Sequence, residues 1–424
     1  MSKTPPPTHD GDVVRTPVRD SGPSRLHPVA RERASAIILW ATAALIVSVA
    51  TLTLLALARL RSSIPVAMPG YTGWHGDYSH VASFLAWTLG DTTEPGYAHS
   101  ALAGALMVLG GYVAHRAFTV KKRWSGFPVT SGTGLFCWAV GSAALGLALS
   151  NLAWGWTIAV SGMWQPTFVP FASVPPAVVL VYGGRRSVAL TGAVLGAALT
   201  TPMALIAVNF ACRPLGLPPV VGATTGMAIS ALIAFALCRH LPWMRVATVV
   251  VPRCTAGSPH HFVDTGRQGP RWLARRMLAD FTDAQFIGNE WASAGLLAGT
   301  VISYLLNPAM AGNVGNLLPR LLIAQVLTAG LAVTLWHRQW ATYGWYPTFV
   351  PVVSIAPATV LAFGGTVQAI VAGAVLGALI GPPFAAAVAR RLPSDFHPFI
   401  GNVVSMAAAT AMIVTALSVT PGFG

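Results

Sequence analysis

Residues 164–203 read WQPTFVPFASVPPAVVLVYGGRRSVALTGAVLGAALTTPM, and residues 345–384 read WYPTFVPVVSIAPATVLAFGGTVQAIVAGAVLGALIGPPF. The two stretches align without a gap, Trp164 on Trp345, and about half of some forty positions are identical, more than shared apolar composition produces. Further along, PPVVGATTGMA from Pro218 pairs with HPFIGNVVSMA from His397 after a two-residue adjustment. The chain therefore contains an internal duplication, and the fold has to be built around it.

The surroundings of the duplicated stretch are apolar. Of 424 residues, 54% are hydrophobic and 9% charged, against the roughly 25% charged residues usual in soluble proteins. This composition predicts an all-α integral membrane protein. At roughly 20 apolar residues per spanning helix, the hydropathy pattern gives about eleven membrane segments. One covers residues 34–60. Five follow near 97–118, 130–153, 158–184, 187–210 and 220–238, and five more near 289–306, 319–336, 346–365, 367–389 and 399–418.

The expected organisation is a disordered cytoplasmic tail over 1–33, a first transmembrane helix over 34–60 and an outer loop over 61–96. Membrane repeat 1 then covers 97–238, a basic cytoplasmic loop 239–288, membrane repeat 2 289–418 and a C-terminal tail 419–424. The tail is rich in Pro, Ser, Asp and Arg and has no apolar run with which to offset the entropy of ordering. The 34–60 run is long for a signal-peptide core and has no small-residue cleavage site after it, so it reads as an uncleaved span.

Five is odd, so if every segment crosses, the second repeat is inverted relative to the first. The basic residues agree with that count. With Arg15, Arg19, Arg25, Arg31 and Arg33 placing the N-terminus in the cytoplasm, the inner loops hold Lys121-Lys122-Arg123, Arg185-Arg186, the Arg239–Arg276 stretch, His337-Arg338 and Arg390-Arg391. Nearly all the basic loop residues thus fall inside, Arg213 and Arg320 each place a single charge in an outer loop, and the C-terminus lies outside. The formal charge of +14 is thus explained by the positive-inside rule and by membrane lipids as partners, and nucleic acid is excluded as the expected ligand.

Within each repeat the PTFVP segment carries the strongest local signal. Pro170 and Pro351 have no N–H for the carbonyls of Pro166 and Pro347. Pro176 and Pro357, six residues on, do the same to Ala172 and Val353. Such a segment is unsuited to lipid, where freed polar groups need burial in protein or a water-filled cavity, so proline-broken or re-entrant helices are expected. Ordinary proline kinks are the bland alternative. Thr167, Ser173, Thr348 and Ser354 become candidate substrate hydroxyls, against the alternative that they bond back to their own helices. Phe168 and Phe349 are candidate gates or stacking surfaces, against plain core packing. Gly192 and Gly196, like Gly373 and Gly377, sit at i and i+4 in the GAVLGA blocks and are expected to pack these helices closely against the broken segments. Pro202 and Pro382-Pro383 mark a second pair of interruptions.

The acidic residues lie outside or at the ends of the apolar runs. Asp77, Asp91 and Glu94 fall in the outer loop, Asp264, Asp280 and Asp283 in the basic loop, and Glu290 at the head of a span. A buried carboxylate relay is therefore not expected except through Glu290, whose bland alternative is interaction with the dipole at its helix N-terminus, and His99 and His115 read as interfacial side chains without partners. If transport is ion-coupled, sodium held by hydroxyls and freed carbonyls fits this reading better than a proton.

No cofactor or metal is indicated. Cys137, Cys212, Cys238 and Cys254 have no CxxC spacing, the His75/Asp77/His80 and His260-His261/Asp264 groupings read as loop surface, and there is no GxxxxGK[ST] loop. The paired W-x-PTFVP, GG and GAVLGA blocks resemble bacterial polytopic membrane protein families made of two tandem repeats. In architecture alone the chain is similar to urea-channel-like and other five-plus-five inverted-repeat transporters. That resemblance carries over no substrate and no functional residue. The inverted repeat itself argues for a secondary transporter or facilitative pore, not an enzyme, and the duplicated broken segment for a small polar or anionic solute; a homo-oligomer is left open. A membrane-embedded enzyme and a non-transporting scaffold are the alternative readings.

Overall fold

The computed structural model describes residues 28–67, 78–246, 268–310 and 312–423. Among them the protein is helical and has no strand. Eight helices are long and apolar enough to cross a membrane, and two shorter apolar helical stretches, Val169–Tyr182 and Glu290–Leu306, lie among them. The helices are α1 (Pro28–Arg61), α2 (Val81–Asp91), α3 (Ala101–Thr119), α4 (Phe136–Trp154), α5 (Trp156–Ser161), α6 (Val174–Tyr182) and α7 (Arg186–Cys212). They continue as α8 (Pro219–Cys238), α9 (Pro270–Ala279), α10 (Glu290–Leu306), α11 (Leu318–Leu335), α12 (His337–Tyr343), α13 (Ile355–Ala362), α14 (Val367–Ala389) and α15 (Phe399–Ser418).

Helix α1 starts six residues before the expected first span, with Pro28 in its first turn, where a missing N–H costs nothing. Residues 1–27 of the expected tail lie outside the described residues. So do His75, Asp77, Cys254, His260, His261 and Asp264. Helices α2 and α9, like the seven-residue α12, occupy stretches that hydropathy reads as loops. Helix α2 is apolar but only eleven residues long. Helix α9 is amphipathic, burying Trp272, Leu273, Arg276 and Met277 while Arg271 and Arg275 point away from that core. Neither is apolar over enough length to register as a span.

The PTFVP segments are broken, and the prolines decide where. Residues 169–172 form one 3-10 turn, Ser173 leaves helical geometry (φ −145°, ψ −118°), and α6 restarts at Val174. Pro175 and Pro176 then sit in the first turn of α6, where their carbonyl partners were never needed. Ser354 breaks the chain in the same way before α13, which places Pro357 in its first turn. The first segment is buried in protein from Gln165 to Tyr182 and the second from Tyr346 to Val360. The later prolines behave differently. Pro202 lies inside α7 between two π turns, Gly196–Thr200 and Ala207–Cys212, while Pro382 and Pro383 lie inside a continuous α14. The carbonyls exposed there find indole donors: Trp154 Nε1 to Ala197 O at 3.0 Å and Trp336 Nε1 to Ala378 O at 2.7 Å.

Glycines set the closest helix contacts. A Cβ at Gly192 or Gly196 would press on Pro175, and one at Gly373 or Gly377 on Thr359 or Pro351, so the GAVLGA helices lie directly on the broken segments. Helices α3 and α10 meet backbone to backbone. Gly110 abuts the Trp291 carbonyl, Gly295 the Leu106 carbonyl and Gly299 Ala103. Residue numbers rise along one helix as they fall along the other, so the pair is antiparallel.

Candidate functional site

The turns that precede α3 and α10 form the centre of the site. Residues 89–100 read LGDTTEPGYAHS and residues 278–289 read LADFTDAQFIGN. They align Asp91 on Asp280, Thr93 on Thr282 and Glu94 on Asp283. Each turn closes identically: the amide of Ser100 donates to Thr93 Oγ1 at 3.1 Å, and that of Asn289 to Thr282 Oγ1 at 3.3 Å. Ser100 and Asn289 then cap the helices through their side chains. Tyr97 (φ 62°) and Phe286 (φ 60°), at aligned positions, adopt left-handed backbone, which non-glycine residues rarely do.

These turns bury the first carboxylate of each copy. Asp91 is 3% exposed and Asp280 0%, which overturns the expectation that the acidic residues stay clear of the apolar core. Each is met by the threonine of PTFVP. Thr167 Oγ1 donates to Asp91 Oδ2 and Thr348 Oγ1 to Asp280 Oδ1, both at 3.2 Å. Each also has a cation, but a different one.

In the first copy His99 Nδ1 lies 3.2 Å from Asp91 Oδ1 and 2.9 Å from Glu94 Oε2, with Trp87 edge-on at 4.6 Å. His99 is therefore partnered and buried, not interfacial. Burial opposes its charge, but hydrogen bonds to Asp91 and Glu94 prevail and lift it to about 9. Asn151 Nδ2 completes the shell of Asp91 at 2.9 Å, and Trp164 Nε1 donates to Glu94 at 2.9 Å.

In the second copy the cation is Arg276, at the position aligned with Trp87. Its Nε and Nη2 reach Asp280 Oδ1 at 3.0 and 2.7 Å, and Nη2 also pairs with Asp283. The guanidinium stacks over Trp340 at 4.7 Å, and Trp340 Nε1 donates to Thr348 at 3.3 Å, so the side chains form a closed ring. Burial pushes Asp280 up against the opposing pull of Arg276. Glu290 stands in the first turn of α10, where it suits the helix dipole, and it also pairs with Arg275 at 2.7 Å and accepts the amide of Phe127 at 2.8 Å.

A cavity of about 1080 Å³ opens between these clusters. Its walls draw on aligned positions of both copies: Glu94 and Asp283, Trp164 and Trp345, Phe168 and Phe349. Arg213 and Arg276 add positive charge. Of the expected substrate residues, Phe168 and Phe349 line the cavity. The hydroxyls of Thr167 and Thr348 are committed to the carboxylates instead. Ser173 and Ser354 donate back to Val169 O and Val350 O at 2.6 Å, the bland alternative for both. Asp91, Glu94, Arg276, Asp280 and Asp283 were missed because hydropathy places them in loops, and His99 because it stands at the very start of the 97–118 run. The signal that finds them is the spacing Leu-x-Asp-x-Thr-acid, present in both copies immediately before a helix.

No protein-family model matches the chain, and no curated protein matches it.

Proposed function

We propose that this protein is a multi-pass membrane carrier or facilitative pore in which one N-terminal span precedes two inverted five-segment repeats. A small polar or anionic solute passes through the cavity between the repeats. The observation that carries the reading is that aligned residues of both copies line one cavity. The antiparallel contact of α3 with α10, which are aligned helices, supports the inversion, because an axis in the membrane plane reverses the direction of an equivalent helix.

The wall chemistry narrows the solute. Aromatic faces suit a flat or apolar body. Arg213, held by Asn209 and the Trp164 carbonyl, makes no ion pair among the described residues and offers a charge to an anionic end. A thermal-stability screen of purified protein against metabolites, ions and lipids tests the reading, since a ligand at 100 times its dissociation constant stabilises by roughly 2.7 kcal/mol. Solute found this way should cross sealed vesicles saturably, and Phe168→Ala with Phe349→Ala should change the apparent affinity. Consumption of solute by detergent-solubilised protein would instead establish an enzyme.

A further inference from the structure

One oxygen of Asp280 has no donor. Oδ1 receives Arg276 twice and Thr348 once, whereas Oδ2 is buried without a hydrogen bond. Asp283, three residues on, shares the same guanidinium and reaches the cavity wall. Two carboxylates therefore face one cation in a water-poor site, leaving a surplus negative charge and an unserved acceptor, both of which are unfavourable. A proton on Oδ2 removes both, because it neutralises the surplus charge and turns the unserved oxygen into a donor toward Asp283.

A sodium ion fits less well. It needs several oxygens at once, and the guanidinium already occupies Asp280 Oδ1 and engages Asp283, where it also repels a second cation. The aligned site in the first copy differs: both oxygens of Asp91 have partners, Asn151 and Thr167 on one and His99 on the other. Among the described residues, the charged groups that act on Asp280 are Arg276 of α9 and Asp283; Arg275 of α9 is paired with Glu290 at the head of α10, and His397, before α15, lines the same cavity as Asp283. Residues 35–58 of α1, which packs on α9, hold no ionisable side chain.

We propose that Asp280 and Asp283 hold one exchangeable proton between them at the wall of the central cavity, and that this pair is the ion-coupling site of the carrier. The coupling role rests on the transport reading. The proton site does not.

Infrared spectroscopy of the full-length protein in lipid, titrated in H₂O and D₂O, tests it. The expected result is the carbonyl stretch of a protonated carboxylic acid, shifted in D₂O and lost with single-proton dependence as pH rises. The band should vanish in Asp280→Asn and in Asp283→Asn, persist in Asp91→Asn, and persist at a changed frequency in Asp283→Glu. Arg276→Gln should move its midpoint to higher pH. Absence of the band from folded wild-type protein at every pH, or its survival in both Asn variants, overturns the proposal. Because the band reports the proton whether or not solute moves, a band without flux in sealed vesicles rejects the coupling role and the carrier reading alone.

Discussion

The hydroxyl of Thr348 donates to the carboxylate of Asp280, 3.2 Å away and 68 positions earlier in the chain, and Thr167 makes the same bond to Asp91. The broken PTFVP segments are thereby tied to the acidic turns before α3 and α10. A hydrogen bond to a charged group contributes about 1.5–3 kcal/mol. Thr167→Val should lower thermal stability by an amount in that range and Thr348→Val by about 0.5–1.5 kcal/mol, because Asp280 shares a proton with Asp283, while Thr→Ser at either position retains most of the bond. Melting curves of the purified variants decide this. Equal melting of the Val and Ser variants would show that the bond contributes nothing.

His99 gives the protein a stability that depends on alkaline pH. Its protonated form is favoured by Asp91 and Glu94, so its ionisation is lifted from 6.5 to about 9 on folding. The contribution is complete below 6.5 and disappears as pH rises through about 9; a shift of this size corresponds to roughly 3 kcal/mol. The melting temperature of wild-type protein should therefore fall between about pH 7 and 10, and the His99→Gln profile should be flatter. Parallel profiles would remove His99 from the balance.

The α3–α10 contact admits no side chain at its glycines. A Cβ at Gly295 or Gly299 would overlap backbone atoms of Leu106 or Ala103, which cannot rotate away. Overpacking of this kind costs about 1–3 kcal/mol. Gly295→Ala and Gly299→Ala should both destabilise, and the double variant more so. Gly141→Ala, which meets open space, is the control. Unchanged melting of Gly295→Ala would mean that the helices are farther apart.

The proposed inverted arrangement predicts sidedness. Single cysteines next to Arg185 and Arg390, in a background without other cysteines, should react with an impermeant thiol reagent from the same face of the membrane. Labelling from opposite faces would leave the two copies parallel.

Much of this protein is legible along the chain. Apolar runs locate the helices long and apolar enough to cross a membrane, and the seventeen-residue α10 and both broken segments also lie where hydropathy and proline place them. The glycines of GAVLGA could be placed against the broken segments because small residues at i and i+4 permit a close backbone approach that larger ones forbid. The acidic clusters were not legible by the same means. A hydropathy window averages Asp91 with its polar neighbours and assigns a loop, although tertiary packing buries the residue at the end of α2.

The sequence by itself determined that the chain is duplicated, apolar and broken at matching prolines, since these are properties of residue order and of the missing proline N–H. Only the tertiary structure decided what the breaks face. A threonine hydroxyl bonds equally well to solute, to its own helix or to a carboxylate, and the choice depends on which acceptor packing brings within 3.2 Å. The same holds for the cations. His99 is drawn from the turn before α3 and Arg276 from the body of α9, two different places along the duplicated sequence, and burial of a carboxylate pair in each copy is what required a positive charge beside it.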